Sequence, residues 1–219
     1  MKRHSLLFGF LAFHIPIASG YSMIRAKESR RHLLKRSLSS AAFLRLLRRP
    51  ANAVENSFQT WTDSSGASFS VPKTWERKET ALEASLGSGP ARRLVVFVNP
   101  LDADENAFIL FSPVQPDYTS LSSFGNIENV ASTILPPAEF PSEMIEMSSK
   151  KGNYNFDYVI EAPGEPKRHL KTIFCLVPSK VIITFTSQTR EVRYKDISDT
   201  AAETLNQNIA SFNLKQSAT

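Results

Sequence analysis

The sequence predicts an α+β domain in which a largely antiparallel β-sheet is flanked by helices on both faces, as an α-β-α sandwich. Three observations lead to this fold class. Four short runs are apolar on both side-chain parities, as in strands covered on both faces. Two of these runs are separated by three residues, too few for a parallel crossover, so their strands are antiparallel. Two further segments carry apolar stripes at helical spacing, which a sheet between them would bury.

The strands are predicted from their β-branched and aromatic content. The segment from Ser68 to Val71 alternates in polarity and stops at Pro72. The four apolar runs occupy residues 94–98, 107–111, 172–177 and 181–185. The last two of them form a hairpin. Residues 153–160 alternate aromatic with mostly polar side chains, so we expect this strand to have one wetter face and to lie nearer an edge.

Two helices are predicted to cover the sheet. The first runs from about Ile127 to Leu135 and is ended by two prolines. In the second, an apolar residue recurs every three to four positions, with Asp196 or Ser198 as the N-cap. Its stripe consists of Ile197, Ala201, Leu205, Ile209 and Phe212.

The charge of the chain is divided unequally. The 219 residues carry a formal net charge of +5. Residues 1–53 hold 11 Lys and Arg against one acid, so residues 54–219, with 15 Lys and Arg against 20 acids, carry −5. Because the basic residues lie outside the predicted domain, the composition argues against nucleic acid as a partner.

The first 53 residues combine several targeting signals. Residues 1–20 have a basic start, an apolar run too short to span a bilayer and small residues before a cleavage site, as in a secretory signal peptide. The following stretch is rich in Arg and Ser, as in a transit peptide. Within it, residues 29–35 are similar to a twin-arginine export signal, and residues 51–53 form an A-x-A cleavage signal. A membrane anchor, or a transit peptide with a chance arginine pair, are the alternatives.

These signals predict a multipartite presequence at residues 1–53 and a mature domain at residues 54–219. A secretory signal followed by plastid and export signals fits a protein of the plastid thylakoid lumen in an alga whose plastid lies inside extra membranes. We expect the mature chain to begin near Val54.

Signatures of catalysis are lacking in the predicted domain. There is no G-x-S-x-G elbow and no glycine-rich phosphate-binding motif, and His169 is the one histidine after residue 53. The single cysteine, Cys175, rules out an intramolecular disulfide, and its apolar strand predicts a buried, unreactive thiol. We therefore expect no enzymatic activity.

Two places carry residue types that bind metal ions. The stretch from Asp102 to Asn106 crowds three carboxylates and begins like a calcium loop, but it lacks the turn glycine and the final glutamate, so we interpret it as a solvated acidic hairpin. His169 could coordinate a transition metal together with a carboxylate from a neighbouring strand end, such as Glu191. The alternative for His169 is an ordinary surface histidine.

A basic group lies beside this histidine. It consists of Lys167, Arg168 and Lys171, and we expect Arg190 to join it in space. Such a group could dock on an acidic face of a partner, and a solvated strand end is the alternative.

Seven motifs follow one another along the mature chain. The first is a glycine and an aromatic followed by V-P-x-x-W, and the set occupies residues 66–75, 93–100, 111–114, 120–125, 152–158, 167–170 and 211–212. In this order they resemble the PsbP family, the extrinsic lumenal proteins associated with photosystem II and their paralogues. Only residues 54–65 precede the first motif, whereas the photosystem II subunit has an extended arm there. The chain is therefore more similar to the PsbP-like and PsbP-domain paralogues.

The resemblance implies an antiparallel sheet between helices and a non-enzymatic accessory protein. Such a protein is peripheral on the thylakoid membrane and serves photosystem II by stabilising or assembling the oxygen-evolving complex, with a link to calcium. The resemblance also associates the histidine matching His169 with metal binding, so the implied cofactor is Ca²⁺ or a transition metal. The alternative is a lumenal metal-binding or enzymatic factor that uses His169 and nearby carboxylates.

Overall fold

Residues 57–82, 91–136, 140–178 and 180–215 are described by a computed structural model. The strands are β1 Phe58–Thr62, β2 Ala67–Pro72, β3 Glu76–Leu82, β4 Arg92–Asn99, β5 Asp102–Pro113, β6 Ser142–Lys150, β7 Asn153–Ile160, β8 Arg168–Val177, β9 Val181–Arg190 and β10 Asn213–Leu214. The helices are α1 Ile127–Ile134, α2 Glu191–Lys195 and α3 Ala201–Ala210, with a 3-10 turn at Leu121–Phe124. In these ranges no helix has the length and hydropathy needed to span a membrane. The predicted presequence lies outside the described residues.

A seven-stranded sheet forms the centre of the described domain. Its strand order is β3-β4-β5-β9-β8-β7-β6, and every neighbouring pair is antiparallel. Two meanders, β3-β4-β5 and β6-β7-β8-β9, therefore join at one seam, where Asn106 pairs with Gln188 and Pro113 with Val181. The predicted antiparallel sheet is confirmed, as are the β8-β9 hairpin and the position of β7 near an edge.

One face of this sheet packs against a small second sheet. The small sheet has the order β1-β2-β10, and its strand β2 turns Phe69 and Val71, both fully buried, towards the central strands. The rings of Phe69 and Phe185 are tilted against each other with centroids 4.2 Å apart, and Phe212 stacks on Phe185 at 5.3 Å. The partners on the central sheet are odd-numbered residues: Val95, Phe97, Ala107, Ile109, Phe111, Ile173, Cys175, Ile183 and Phe185. Because side chains alternate along a strand, they share one face.

A tight turn joins β1 to β2 and ties the small sheet to the central one. Ser65 donates its backbone N–H to Asp63 Oδ2 at 2.8 Å, and Arg93 of β4 donates to Asp63 Oδ1 at 2.6 Å. Gly66 closes the turn with a φ of +87°, and a Cβ there would lie 2.7 Å from the carbonyl oxygen of Lys215. Glycine is therefore required at this position, since no side chain fits.

The other face of the sheet carries a second apolar cluster. Val130 and Ala131 of α1 pack with Phe156, Tyr158 and Leu170 of β7 and β8. The N-cap of α1 is Asn126, whose side chain accepts the backbone N–H of Asn129 at 3.0 Å. The prediction of a helix in this segment is confirmed. Because one covering layer is partly a three-stranded sheet, the simple α-β-α sandwich stays a prediction.

The C-terminal helix is shorter than predicted. Helix α3 begins at Ala201 after the N-cap Thr200, so Asp196 and Ser198 as N-caps were wrong. Ile197 lies outside the helix and is fully exposed, with a relative accessibility of 103%, so it does not belong to the buried stripe. The reason is a turn at residues 196–199, where Ser198 donates to Asp196 and the chain separates α2 from α3.

Candidate functional site

His169 lies in the interior, at the end of the sheet where β8 begins. The strand register places it between Val159 of β7 and Thr189 of β9, on the odd-numbered face. Only 3% of the residue is exposed, so the alternative of an ordinary surface histidine is wrong. The nitrogens of a buried imidazole need polar neighbours, because water does not reach them.

Two carboxylates flank the imidazole ring. His169 Nδ1 lies 2.7 Å from Glu191 Oε2 in a hydrogen bond, and Nε2 lies 2.7 Å from Asp157 Oδ1. The second contact has the distance of an ion pair but lacks hydrogen-bond alignment. Glu191 is the first residue of α2, and its N–H donates to the carbonyl of Lys167 at 2.8 Å. This backbone bond fixes the carboxylate beside the ring.

Two lysines extend this arrangement on either side of the imidazole. Lys171 Nζ lies 3.1 Å from Asp157 Oδ2, and Lys195 Nζ lies 2.7 Å from Glu191 Oε1. A row therefore runs from lysine to carboxylate to imidazole to carboxylate to lysine. Each carboxylate therefore has a lysine ammonium group on the side away from the imidazole, which compensates its charge.

The pKa values of both carboxyl groups are lowered. Burial alone would raise the pKa of Asp157, but its polar contacts with His169 and Lys171 outweigh that effect and lower the pKa. Burial likewise opposes the shift at Glu191, where hydrogen bonds with Lys195 and His169 lower the pKa. The pKa of Lys171 is raised against the effect of burial by hydrogen bonding to Tyr194 and Asp157. All three groups are thus held in their charged forms.

This arrangement does not fit a metal ion as it stands. Both ring nitrogens of His169 face carboxylate oxygens at 2.7 Å, which leaves neither nitrogen directed at an open coordination position. Across the described residues, no group of three or more His, Cys, Asp and Glu side chains is disposed to hold a metal. The metal role of His169 and Glu191 stays a prediction that would require the ion pairs to open.

Among the residues that the structure describes, no serine, threonine or cysteine side chain forms a hydrogen bond with the imidazole of His169. The groups at hydrogen-bond distance from its nitrogens are the two carboxylates. Cys175 lies in the core with 1% of its surface exposed, and burial raises the pKa of its thiol to about 12. The predicted burial of this thiol is confirmed, and its raised pKa disfavours the thiolate, which is the nucleophilic form.

The acidic stretch lies in the β4-β5 hairpin, as predicted, but it is part of an ion-pair network, so the prediction that it is solvated was wrong. Strand β5 begins at Asp102 itself, and the turn lies before it. Arginines from β8, β9 and α2 converge on three carboxylates there. The contacts are Arg168 to Asp104 at 2.9 Å, Arg190 to Asp104 at 2.6 Å and Asp102 at 3.3 Å, and Arg193 to Asp102 at 2.8 Å and Glu105 at 3.0 Å. Arg193 also grips Asp199 with two hydrogen bonds, at 2.8 and 2.9 Å.

The basic group is assembled as expected, but most of its charge is compensated. Arg190 lies directly opposite Arg168 in the β8-β9 register, as predicted. Arg168, Lys171 and Arg190 are all paired with carboxylates of the same chain. Lys167 is exposed, and no ion pair within the described ranges involves it. A docking role for the group stays a prediction.

Sequence reasoning brought His169 and Glu191 together but missed other partners. Asp157 falls on the polar side of the alternating strand β7, and its register opposite Lys171 could have indicated the contact. Tyr194 and Arg193 belong to α2, a five-residue helix too short to show a periodic pattern. These two residues could be found only from the structure.

Comparison with known proteins gives concordant matches. The model of the PsbP family matches residues 56–214. PsbP domain-containing protein 3, chloroplastic, from Arabidopsis thaliana is 26% identical over 153 residues, which cover 64% of this chain and 60% of that relative. The chain therefore spans about three fifths of the length of this curated relative.

A solved structure shares the fold. The solution structure of cyanobacterial PsbP (CyanoP) from Synechocystis sp. PCC 6803 superposes with a TM-score of 0.53 at 23% identity, covering 72% of this chain and 92% of that one. At this sequence identity, the match shows a common fold only.

Proposed function

This chain belongs to the PsbP family, and we propose that it is a non-enzymatic accessory protein of the thylakoid lumen that docks on photosystem II. The observation that carries the proposal is the family match, which extends over nearly all of the predicted mature domain. The chloroplastic relative and the independently interpreted targeting signals support the compartment. We further propose a peripheral position on the membrane and a role in assembling or stabilising the oxygen-evolving complex.

The chemistry of the described residues supports a binding protein over an enzyme. The buried histidine is held between two carboxylates, and each carboxylate is also paired with a lysine. The three arginines that contact the carboxylates at the start of β5 are likewise paired within the chain. Such networks hold strands and helices in position, because their polar groups bind one another. They leave few polar groups directed at a substrate, which an enzyme would need.

The proposal can be tested by co-purification. A C-terminally tagged chain is expressed in the organism from which the sequence derives, thylakoids are gently solubilised, and the complexes are separated by native electrophoresis. We expect the tag to migrate with photosystem II or with one of its assembly intermediates. Migration with a different complex would contradict the photosystem II assignment, and recovery only from the stroma would contradict the lumenal one.

We propose that the basic group contributes to docking through Lys167, the member whose charge is not compensated within the described residues. Lys167→Glu should release the protein from washed thylakoids at lower salt, because screened ionic contacts weaken as ionic strength rises. Lys73→Glu, at another exposed position, is the matched control. Identical release curves for Lys167→Glu and wild type would remove this group from the interface.

A further inference from the structure

A few large apolar side chains of the described domain are exposed to solvent. Five large hydrophobic residues there are substantially exposed, and the three most exposed are Leu101 at 94%, Val192 at 73% and Ile197 at 103%. The other two, Ile145 and Met147, lie on the edge strand β6. Single exposed hydrophobic residues are common on protein surfaces, whereas several carried by linked segments can form an interaction surface.

Arg193 links the three chain segments that carry Leu101, Val192 and Ile197. Leu101 immediately precedes Asp102, which Arg193 contacts at 2.8 Å, and Val192 immediately precedes Arg193 itself. Ile197 lies two residues before Asp199, which Arg193 holds with two hydrogen bonds. One guanidinium thus connects the β4-β5 turn, α2 and the turn after α2. We name Leu101, Val192 and Ile197 the apolar tip.

The backbone at the apolar tip is held in place before any partner binds. The N–H of Leu101 donates to Asn99 Oδ1 at 3.0 Å, which fixes the β4-β5 turn. The N–H and hydroxyl of Ser198 both donate to Asp196 Oδ1, at 2.9 and 2.6 Å, which fixes the turn carrying Ile197. Because the backbone of these turns is already ordered, binding there costs little further backbone entropy.

We propose that the apolar tip is a second contact, beside Lys167, by which this protein docks on a protein partner, inserting aliphatic side chains into an apolar pocket. The proposal rests on the docking proposed above and names its surface. Charge favours a protein over a lipid surface as the occupant. Residues 99–105 and 190–199 contain three basic against six acidic side chains, whereas segments that bind lipid surfaces carry a basic excess.

The chemistry of the pocket follows from its neighbours. Asp196 stands next to Ile197, is exposed and forms no ion pair in the described ranges. Its pKa is lowered by the hydrogen bonds from Ser198, so it stays ionised. An apolar pocket with a cationic side chain opposite Asp196 would match this surface, since interfaces combine an apolar core with a polar rim.

The test compares two sets of exposed residues. The tip variant is Leu101→Gln, Val192→Gln and Ile197→Gln, and the matched control is Ile145→Gln with Met147→Gln on β6. Each is expressed from the full chain, and its thylakoid-associated form is added to inside-out thylakoid vesicles stripped of peripheral proteins. Bound protein is measured by sedimentation over a concentration series. The same measurement uses protein-free vesicles of thylakoid lipids and protease-treated membranes.

We expect wild type and the control to bind the stripped membranes equally and the tip variant to bind about tenfold more weakly or worse, since a few buried anchors dominate interfaces. Protease treatment should abolish wild-type binding, and lipid vesicles should show none. The single change Ile197→Gln should lose part of the affinity with an unchanged thermal midpoint, which separates binding from folding. Asp196→Asn should weaken binding and reduce its salt dependence.

The outcomes distinguish the two proposals. Equal binding of wild type and tip variant overturns the apolar tip but leaves the proposed function intact. Failure of wild type to bind any thylakoid membrane contradicts the proposed function. Binding to lipid vesicles that the tip variant loses would identify lipid as the occupant and overturn the protein partner. A wild-type dimer in solution that the tip variant dissociates would assign the surface to self-association instead.

Discussion

The ring of Tyr194 lies parallel to the ring of His169, with the centroids 3.5 Å apart and the planes 13° apart. Tyr194 belongs to α2 and His169 to β8, so the stack joins the short helix to the sheet. Lys171 Nζ also lies 5.6 Å from the tyrosine centroid, on the same edge of the site. The helix that carries Glu191 and Arg193 is thus anchored by an aromatic contact as well as by ion pairs.

Removing this ring should loosen α2. We expect Tyr194→Ala to lower the free energy of unfolding by about 1–2 kcal/mol, because both the stack and the apolar burial are lost. Tyr194→Phe keeps the ring and loses only the hydrogen bond with Lys171, so it should cost clearly less than Tyr194→Ala. Urea unfolding of both variants measures the difference. If alanine and phenylalanine behaved alike, the stack would have no part in stability.

The turn at Asp63 predicts a pH-dependent contribution to stability. Burial alone would raise the pKa of Asp63, but the hydrogen bonds from Ser65 and Arg93 lower it below its ordinary value. A lowered folded-state pKa means that the stabilisation is present above the unfolded pKa and is lost as pH falls through the folded one. Asp63→Asn, which removes the charge, should therefore cost about 1–2 kcal/mol at neutral pH.

The difference between Asp63→Asn and wild type should shrink as pH falls from about 5 towards about 2. Unfolding free energies measured across that range test the sign. Glu79→Gln is the control, because Glu79 contacts the same Arg93 at 3.3 Å from an exposed strand and should have a much smaller effect. A difference that stayed constant with pH would show that the Asp63 charge is not involved.

Cys175 should affect stability but not docking. Its thiol packs in the core with Ile183 and its neighbours, so Cys175→Ala should lower the free energy of unfolding by about 1–2 kcal/mol. Binding to thylakoids should be unchanged. A thiol reagent should label native protein slowly and urea-unfolded protein rapidly. Fast labelling of the native state would contradict the burial.

The targeting signals make a prediction that sequencing can check. We expect the thylakoid-associated form to begin near Val54, since residues 51–53 form the last cleavage signal. N-terminal sequencing of protein recovered from thylakoids measures the start. A start well upstream of Pro50 would contradict the lumenal interpretation.

The sheet could be predicted from sequence where burial decides the pattern. Residues 94–98 and 181–185 are apolar on both parities because each of their strands is covered on two faces, and that pattern is visible without a structure. Strand β3 could not be found this way, since six of its seven residues are exposed and mostly charged. Its place is set by pairing with β4, which local composition does not report.

The site was predictable only in part, for a similar reason. His169 and Glu191 were linked because strand ends in a hairpin lie close together, and the β8-β9 register confirms that proximity. The acidic residues Asp102 and Asp104 were interpreted as solvent-exposed, because a run of acids does not reveal which arginines will pair with it. Those arginines come from 64 to 91 residues away in sequence. Ion pairs over such separations depend on topology, which composition does not encode.

The seam between β5 and β9 has a consequence for how the domain forms. Within each meander, strands that are adjacent in sequence pair, so each can order through local contacts. The seam pairs Asn106 with Gln188 and Pro113 with Val181, and it alone connects the two meanders within the central sheet. Pairing β5 with β9 brings distant parts of the chain together, which costs loop-closure entropy. Contacts of such long sequence separation slow folding. The two meanders would therefore be the early units of folding, and a chain arrested before the seam closes would present the unpaired edges of β5 and β9 to other chains.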